Sequence, residues 1–308
     1  MASRIPRTVV HYSAHDPRAF RGGVESFARN LQLIFDEVLF MTPKTRDESL
    51  VRREALPVIC DNQMVLDWPK DLRVIGFQHG VAWRKAQVTK TLGDFRLALR
   101  QALAARRSNV VWAACAAWIS RTFGEQHGNA AEVVVYHPVD LRLFDGRLDN
   151  AGSRLVLHDA RTDHKGQRQL AELARALPRY RFEPLDCAPD RVAERMRGAL
   201  AFVHLSRYEG NSIVCNEAMA MNLPCLFTKV GLMLDTDQRF GVEQIDVSLA
   251  LAGGAPLIDT TARFLARAEE RPLGPRAWVA EHAGLEQTCA SWAAVLRKFD
   301  GGAVSAGN

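Results

Sequence analysis

The sequence RYEGNSIVCNEAMAMNLP fills residues 207–224 and holds two carboxylates, Glu209 and Glu217, on either side of a glycine turn and a helix start. Apolar runs, each typical of a strand, lie immediately before it at 201–205 and after it at 224–228. A strand, a turn, a helix and a second strand form a parallel unit. The turn then lies at the carboxyl edge of the sheet, where α/β proteins bind ligands.

The predicted helix start in this stretch has free backbone N–H groups that suit a phosphate or a sugar hydroxyl. Asn211 or Ser212 can cap the helix, and Pro224 closes it. An ordinary strand–turn–helix with glutamates at its surface has the same local pattern. The rest of the chain must therefore decide between a binding site and a structural turn.

Length and composition indicate a soluble globular protein. The chain has 308 residues, enough for two domains, with 47% hydrophobic and 24% charged residues. No apolar run approaches the roughly 20 residues that cross a bilayer, and residues 1–7 lack the apolar core of an export signal. The six cysteines are scattered without a Cys-x-x-Cys pair, which predicts reduced thiols and no zinc site.

The net charge of +5 favours anionic partners such as nucleotides or acidic lipid. Nucleic acid is disfavoured because the cations concentrate on one predicted helix without interleaved aromatic residues. That helix spans 84–107, with a stripe formed by Val88, Leu92, Phe95, Leu99 and Leu103. We expect the stripe to pack on the sheet; docking of the basic helix on acidic lipid is the alternative.

Two features of the first half fall at predicted strand ends. Gly22 and Gly23 lie between a strand at 8–12 and a helix, where glycine lets the backbone approach a ligand closely. They do not form a Gly-x-Gly-x-x-Gly fingerprint, so a plain loop is the alternative. His79 follows a strand at 74–77 and is placed either to face a ligand or to serve the structure.

A polar segment at about 141–153 predicts the linker between two Rossmann-like domains. We assign residues 1–145 to an acceptor-side domain, 146–280 to a nucleotide-sugar-binding domain, 281–299 to a helix that packs back on the first domain, and 300–308 to a disordered tail. The second domain opens with a strand at 154–158, followed by Arg161 and Lys165 in a strand-to-helix turn. Two cations at that edge suit a diphosphate, although solvent-facing cations are the commoner case.

The order of these motifs resembles the retaining glycosyltransferases of the GT-B fold, of the large family 4 type (glycosyl transferases group 1). The resemblance covers about residues 8–230, and residues 209–224 are its most specific part. It implies an α/β GT-B fold, with two Rossmann-like domains whose parallel sheets face a central cleft. The turn at 158–160 departs from the family, which usually has a glycine just before the Arg.

The resemblance also implies a role for each matching residue. Glu209 would lie beside the donor sugar and the reacting centre, His79 would contact the transferred sugar, and Glu217 would accept hydrogen bonds from the ribose hydroxyls. The diphosphate and sugar of the donor would be held by Gly22, Gly23, Arg161, Lys165, Gly210, Asn211, Ser212 and Ile213. No metal or other cofactor is implied beyond a UDP-, GDP- or ADP-sugar as donor substrate.

The expected reaction moves a sugar from a nucleotide diphosphate to a glycan or lipid-linked acceptor, with the anomeric configuration retained. The expected setting is bacterial envelope polysaccharide synthesis in the cytoplasm, with or without peripheral attachment to the inner face of the plasma membrane. Two alternatives stay open on the same fold. One is a non-catalytic nucleotide-sugar-binding protein, and the other is a different enzyme such as a nucleotide-sugar epimerase.

Overall fold

The structure is a computed structural model that describes residues 4–19, 23–236, 241–270 and 274–301. The strands are β1 Ile5–Tyr12, β2 Phe35–Met41, β3 Val58–Asp61, β4 Val74–Gln78, β5 Val110–Ala114, β6 Val133–Val134, β7 Leu155–His158, β8 Arg181–Pro184, β9 Ala201–His204, β10 Cys225–Thr228 and β11 Val242–Ile245. The helices are α1 Gly23–Leu31, α2 Glu48–Arg53, α3 Ala82–Thr89, α4 Leu92–Ala104, α5 Ala117–His127, α6 Gln167–Ala176, α7 Val192–Arg197, α8 Ile213–Ala220, α9 Val247–Ala252, α10 Gly254–Glu270, α11 Arg276–His282 and α12 Leu285–Gly301.

The chain divides into two compact units. The first comprises Met1–Pro138 and Leu285–Asn308, and the second comprises Val139–Gly284. The division falls at 138/139, seven residues before the expected end of the first domain. The part of the predicted tail at 302–308 lies outside the described residues, whereas Asp300 and Gly301 complete α12.

The first unit contains a six-stranded parallel sheet in the order β2-β1-β3-β4-β5-β6. Its strands β3, β4 and β5 are buried along their whole length, which is why they read as continuous apolar runs and not as alternating patterns. Helix α12 contacts this sheet, and its buried Trp292 stacks on Phe77 of β4 with ring centroids 5.4 Å apart.

The second unit contains a five-stranded parallel sheet in the order β11-β10-β9-β7-β8. Its core forms where α6 and α10 cover the sheet, around the fully buried side chains of Val156, Leu173, Val203, Leu226 and Phe264. Two α/β units with parallel sheets confirm the predicted fold class.

The predicted single helix at 84–107 was wrong in two ways. First, it is a pair of helices, α3 and α4, separated at Lys90, which adopts a left-handed conformation with φ of 54°. Thr91 then caps α4 by accepting a hydrogen bond from the backbone N–H of Asp94. A threonine three residues before an acidic residue is a helix-start signal that the sequence contained.

Second, the apolar stripe of this segment does not pack on the sheet. Leu92, Phe95, Leu99 and Leu103 are exposed, whereas Ala98, Gln101 and Ala104 are buried. The buried Gln101 explains this orientation, because its side chain donates to the side-chain oxygen of Gln78 and the carbonyl of Gly80 and accepts from the N–H of Ala82. These bonds fix which face of α4 turns inward.

Candidate functional site

In the second sheet, the strand order reverses between β7 and β9, which are neighbours although β8 lies between them in sequence. Ligands of open α/β sheets bind at the carboxyl ends of strands at such a switch point. The loop after β7 begins with Asp159, and the loop after β9 leads to Glu209. The switch point therefore lies at the residues that the sequence singled out.

Four charged side chains meet at this edge. Lys165 Nζ lies 2.8 Å from Asp159 Oδ2 and 3.4 Å from Glu209 Oε1. His204, the last residue of β9, lies 2.6 Å from Asp159 through Nδ1 and 3.3 Å from Glu209 Oε1 through Nε2. We call Asp159, Lys165, His204 and Glu209 the switch-point tetrad. The structure thus brings two predicted residues, Lys165 and Glu209, together with two that sequence reasoning missed.

The tetrad is a balanced set of two cations and two anions. Burial opposes ionisation of Asp159 and Glu209, but His204 and Lys165 outweigh it and hold the pKa of both carboxyls below their ordinary values. Burial likewise opposes protonation of His204, yet Asp159 raises the pKa of His204 well above its ordinary value. The pKa of Lys165 is also raised against burial, by Glu209 and Asp159. All four groups are charged at neutral pH.

One contact in the tetrad is not a completed hydrogen bond. His204 Nε2 and Glu209 Oε1 are both buried and lie 3.3 Å apart, but neither has a hydrogen-bond partner of good geometry among the described residues. Buried polar atoms are nearly always satisfied, and exceptions concentrate where a ligand or water completes the set. Glu209 Oε1 therefore contacts two cations but can still accept a hydrogen bond of good geometry from a ligand.

The loops that carry the tetrad are joined directly to each other. Arg207 Nη2 lies 2.6 Å from Asp163 Oδ2, and the Arg207 backbone N–H donates to the carbonyl of His164 at 2.8 Å. At the other side, the buried Thr228 hydroxyl donates to the carbonyl of Ser206 at 2.5 Å. Such bonds reduce the freedom of both loops and hold Lys165 and Glu209 in a fixed arrangement.

Glycine is required beside Glu209 at a position that the sequence did not reveal as special. Gly231 follows β10 with φ of +59°, and a Cβ there would lie 2.7 Å from Glu209 Cβ and 3.0 Å from the Gly210 carbonyl oxygen. Gly152, in the polar loop before β7, has a similar φ of +73° but open space where its Cβ would lie. Alanine substitutions at the two glycines therefore distinguish the cost of backbone strain from the cost of close approach to Glu209.

We expect Gly231→Ala to lower the free energy of unfolding by about 2–4 kcal/mol, and Gly152→Ala by about 1 kcal/mol. In both variants the alanine is strained by the left-handed backbone conformation, but only the alanine at 231 also clashes with Glu209. Urea denaturation of both variants at one pH measures the difference. Equal losses in the two variants would contradict the close approach to Glu209.

Arg161 is not part of the tetrad. Its side chain is more than half exposed, Nη2 donates to the carbonyl of Leu185 at 3.0 Å, and Asp186 lies 3.9 Å away. It stands in the same loop as Lys165 but is directed toward the residues that follow β8. Its predicted contact with a diphosphate stays a prediction.

The helix start after Glu209 has the predicted form. Gly210, Asn211 and Ser212 form the turn, Ser212 is the N-cap residue, and α8 begins at Ile213. The Ser212 side chain does not cap the helix, contrary to the expectation, and the Asn211 side chain accepts from Asn216 Nδ2 at 3.0 Å. The first N–H groups of α8 are therefore not used by a side-chain cap at Ser212.

The Glu217 carboxyl, unlike the two carboxyls of the tetrad, has no cationic partner among the described residues. Glu217 lies in α8 between buried neighbours, and no hydrogen bond or ion pair to its carboxylate occurs within the described residues. Burial alone raises the pKa of Glu217 to about 8. An unpaired, desolvated carboxyl is costly to ionise, and such groups concentrate at functional sites.

The first unit holds the other predicted site residues. Gly22 lies outside the described residues, and Gly23 opens α1 with open space where its Cβ would lie. His79 Nε2 lies 2.8 Å from Asp61 Oδ1, an oxygen that His11 also contacts at 2.9 Å. Burial opposes ionisation of Asp61, but the two histidines hold its pKa below the ordinary value.

Asp159, His204 and Glu209 each offer one atom within 4.8 Å of the others, so this trio is also a candidate metal ligand set. Within the tetrad, however, the Lys165 ammonium already contacts both carboxylates. A divalent cation would have to share that position with a positive charge. The donor set therefore fits the existing ion pairs better than a resident metal.

Comparison with known proteins identifies the fold. Residues 183–236 match the family model described as Glycosyl transferases group 1, a segment that contains Glu209 and Glu217. No curated protein sequence matches the chain significantly. Solved structures do match it over nearly its full length.

Three such structures illustrate the likeness. Sucrose-phosphate synthase from Thermosynechococcus elongatus has a TM-score of 0.74 at 15% identity, covering 96% of this chain and 100% of that chain. Anabaena Alr3699/HepE in complex with UDP and glucose has a TM-score of 0.68 at 15% identity, covering 94% and 98%. A glycosyltransferase from Rickettsia africae has a TM-score of 0.65 at 11% identity, covering 96% and 98%. The chain has the GT-B fold, as the sequence predicted.

Proposed function

We propose that this protein is a retaining, metal-independent glycosyltransferase that moves a sugar from a nucleoside diphosphate to a glycan or lipid-linked acceptor. The observation that carries the proposal is the tetrad at the switch point of the second sheet, where the buried Glu209 Oε1 lies beside two cations without a completed hydrogen bond. The group 1 family match over 183–236 supports it, as does the UDP bound by the structurally similar HepE.

The charges of the site suit the chemistry of such a transfer. When the bond between the anomeric carbon and the diphosphate oxygen breaks, positive charge develops on the sugar and negative charge on the leaving group. Glu209 would stabilise the first, while Lys165, Arg161 and the N–H groups at the start of α8 would stabilise the second.

The transfer needs no protein nucleophile. The acceptor oxygen forms the new bond to the anomeric carbon on the face that the diphosphate leaves, and its proton passes to a phosphate oxygen of that leaving group. The hydrogen atoms and the charges therefore balance between the donor and the acceptor. In this scheme Glu209 is not a general acid, so the two-carboxylate arrangement of glycoside hydrolases does not apply.

His79 and Gly23 complete the proposal from the first unit. The Asp61 carboxylate fixes the orientation of the His79 ring through Nε2, which leaves Nδ1 as the ring atom able to reach a sugar hydroxyl. Gly23 would let the backbone at the start of α1 approach the donor.

The direct test is nucleoside diphosphate release from a panel of UDP-, GDP- and ADP-sugars, with mass spectrometry of the products. We expect one donor to be turned over, with the sugar transferred or slowly hydrolysed. If one donor binds but no diphosphate is ever released with any glycan or lipid-linked acceptor tried, the protein is a nucleotide-sugar binder and the proposal is overturned.

Glu217→Gln should make the free protein more stable and its donor binding weaker. Burial raises the folded-state pKa of Glu217 to about 8. The stability that depends on the protonated carboxyl is therefore fully present at low pH and is lost as the pH rises from the unfolded-state pKa toward 8. We therefore expect the variant to gain about 1–3 kcal/mol at pH 8 and almost nothing near pH 4.5.

Above about pH 8, where Glu217 is ionised, we expect Glu217→Gln to raise the donor Kd about tenfold, because an ionised carboxylate accepts hydrogen bonds from ribose hydroxyls better than an amide does. Thermal unfolding at the two pH values and calorimetric titration measure both effects. A variant that loses stability at pH 8 would show that the carboxylate serves the fold and not the ligand.

A further inference from the structure

Helices α3 and α4 of the first unit expose large apolar side chains. The exposed fractions are 46% for Trp83, 66% for Leu92, 38% for Phe95, 64% for Leu99 and 47% for Leu103. We call these five residues the α3–α4 apolar face. Single exposed apolar residues are common on protein surfaces, but a contiguous set on two neighbouring helices indicates an interaction site.

The α3–α4 apolar face borders a groove. The groove has a volume of about 420 Å³ and is lined by Trp83, Phe95, Ala98, Leu99 and Ala102, with Gln126 and His127 of α5 at its other side. Trp83 and Phe95 contact each other edge to face, with ring centroids 5.7 Å apart, so the aromatic pair joins the two helices. The apolar surface therefore has depth as well as area.

Unpaired cations surround this face. Among the described residues, no acidic side chain pairs with Arg84, Lys90, Arg96 or Arg106, whereas Lys85 and Arg100 pair with Asp94 and Asp67. Arg84 and Arg96 directly follow Trp83 and Phe95, which places them about 100° further around their helices. Asp94 is the one acid within α3 and α4, and Lys85 neutralises it.

We propose that the α3–α4 apolar face docks on a membrane surface rich in anionic headgroups. The apolar side chains enter the boundary between headgroups and acyl chains, and the four unpaired cations contact phosphates at the headgroup level. Charge complementarity favours this occupant over a second copy of the chain, since a symmetric contact would bring the same cations against each other. Among the described residues, no helix combines the length and the hydropathy needed to span a bilayer.

The test is co-sedimentation of the full chain with vesicles of phosphatidylcholine alone and of phosphatidylcholine mixed with phosphatidylglycerol. We expect binding to the anionic vesicles that weakens with salt and is at least tenfold weaker for neutral vesicles. Lys90→Gln with Arg96→Gln should weaken binding roughly tenfold or more. Leu99→Gln with Leu103→Gln should weaken it by at least the same factor, and both side chains are exposed, so folding is not at risk.

The matched control is Lys44→Gln with Lys70→Gln, two exposed lysines of the same unit outside α3 and α4. It removes the same charge and should leave vesicle binding within twofold of the original protein. Equal binding to neutral and anionic vesicles, or no binding to either, overturns the proposal. So does a dimer in light scattering that Leu99→Gln with Leu103→Gln dissociates, because the face would then be a contact between copies.

The outcome of the vesicle experiment does not depend on the proposed glycosyltransferase activity. The vesicle experiment changes residues of α3 and α4 that the proposed donor site does not use, so either proposal can fail while the other holds.

Discussion

Glu209→Gln should lower nucleotide-sugar turnover about 100- to 1,000-fold, the loss typical of removing one preorganised electrostatic group from an active site. Glutamine has nearly the same shape, so the turn at 207–212 should persist. What is lost is the negative charge opposite the developing positive charge on the sugar. Because that charge exists only near the transition state, the loss should appear in kcat, with donor Kd changed less than about fivefold.

The control for this experiment is Glu194→Gln, which removes an exposed carboxylate on α7 of the same unit and breaks only its pair with Arg191. We expect its turnover to match that of the original protein. Initial rates of diphosphate release at saturating donor compare the three proteins. A Glu209→Gln variant that keeps turnover within fivefold would remove Glu209 from the reacting centre.

Asp159→Asn is expected to cause the largest loss of stability, about 3–5 kcal/mol, because it leaves an uncompensated positive charge among buried groups. Asp159 is the partner of both cations of the tetrad, at 2.6 Å from His204 and 2.8 Å from Lys165. Adding His204→Gln removes the excess charge and should recover about half of the loss, since Lys165 and Glu209 then balance each other.

The loss in Asp159→Asn should depend on pH in a defined direction. The depressed pKa of Asp159 means that its contribution is present above about pH 4 and is lost in acid. The raised pKa of His204 means that its contribution is complete below about pH 6.5 and disappears as pH rises through the folded-state value. The free energies of unfolding of the original protein and of Asp159→Asn should therefore differ most between about pH 4 and 6.5.

Chemical denaturation across this pH range measures the difference. Asp145→Asn is the control, since Asp145 faces Arg197 at 3.4 Å near the surface of the same unit and should cost no more than about 1 kcal/mol. Asp159→Asn would contradict the charge-balance account if its loss were no larger than that of Asp145→Asn.

Local patterns were enough to predict the two parallel-sheet units. The central strands are buried on both faces, so runs such as Val58–Cys60 and Ala201–Val203 stay apolar over their whole length and are recognisable without tertiary knowledge. The same reasoning placed Glu209, Lys165 and His79 after strands, and parallel strands bring such positions to one edge of a sheet.

Side-chain partners could not be read from the chain. Asp159 and His204 are 45 residues apart, and only the pairing of β7 with β9 brings them within 2.6 Å. The available signals were a charged residue at the start of a strand-end turn and a histidine ending an apolar strand. Gly231 was missed for the same reason, since its neighbour Glu209 lies in a different loop.

The predicted orientation of α4 was wrong for a different physical reason. Its leucines suggested a buried stripe, but the buried face is selected by Gln101, which satisfies three polar groups at the end of β4 and the start of α3. A buried polar network of this kind can override the local hydrophobic pattern, because each buried polar group left unpaired costs about 1–3 kcal/mol.

The central claim is that the second unit binds a nucleoside diphosphate through Lys165 and Glu217, with Glu209 placed beside the sugar. Calorimetric titration with UDP, GDP and ADP above about pH 8, where Glu217 is ionised, tests it most directly. We predict that one of the three binds with a Kd in the micromolar range, on the order of −8 kcal/mol, about tenfold more weakly to Glu217→Gln and with little change to Glu209→Gln. No heat of binding from any of the three, or equal affinity in the Glu217→Gln variant, would contradict the account.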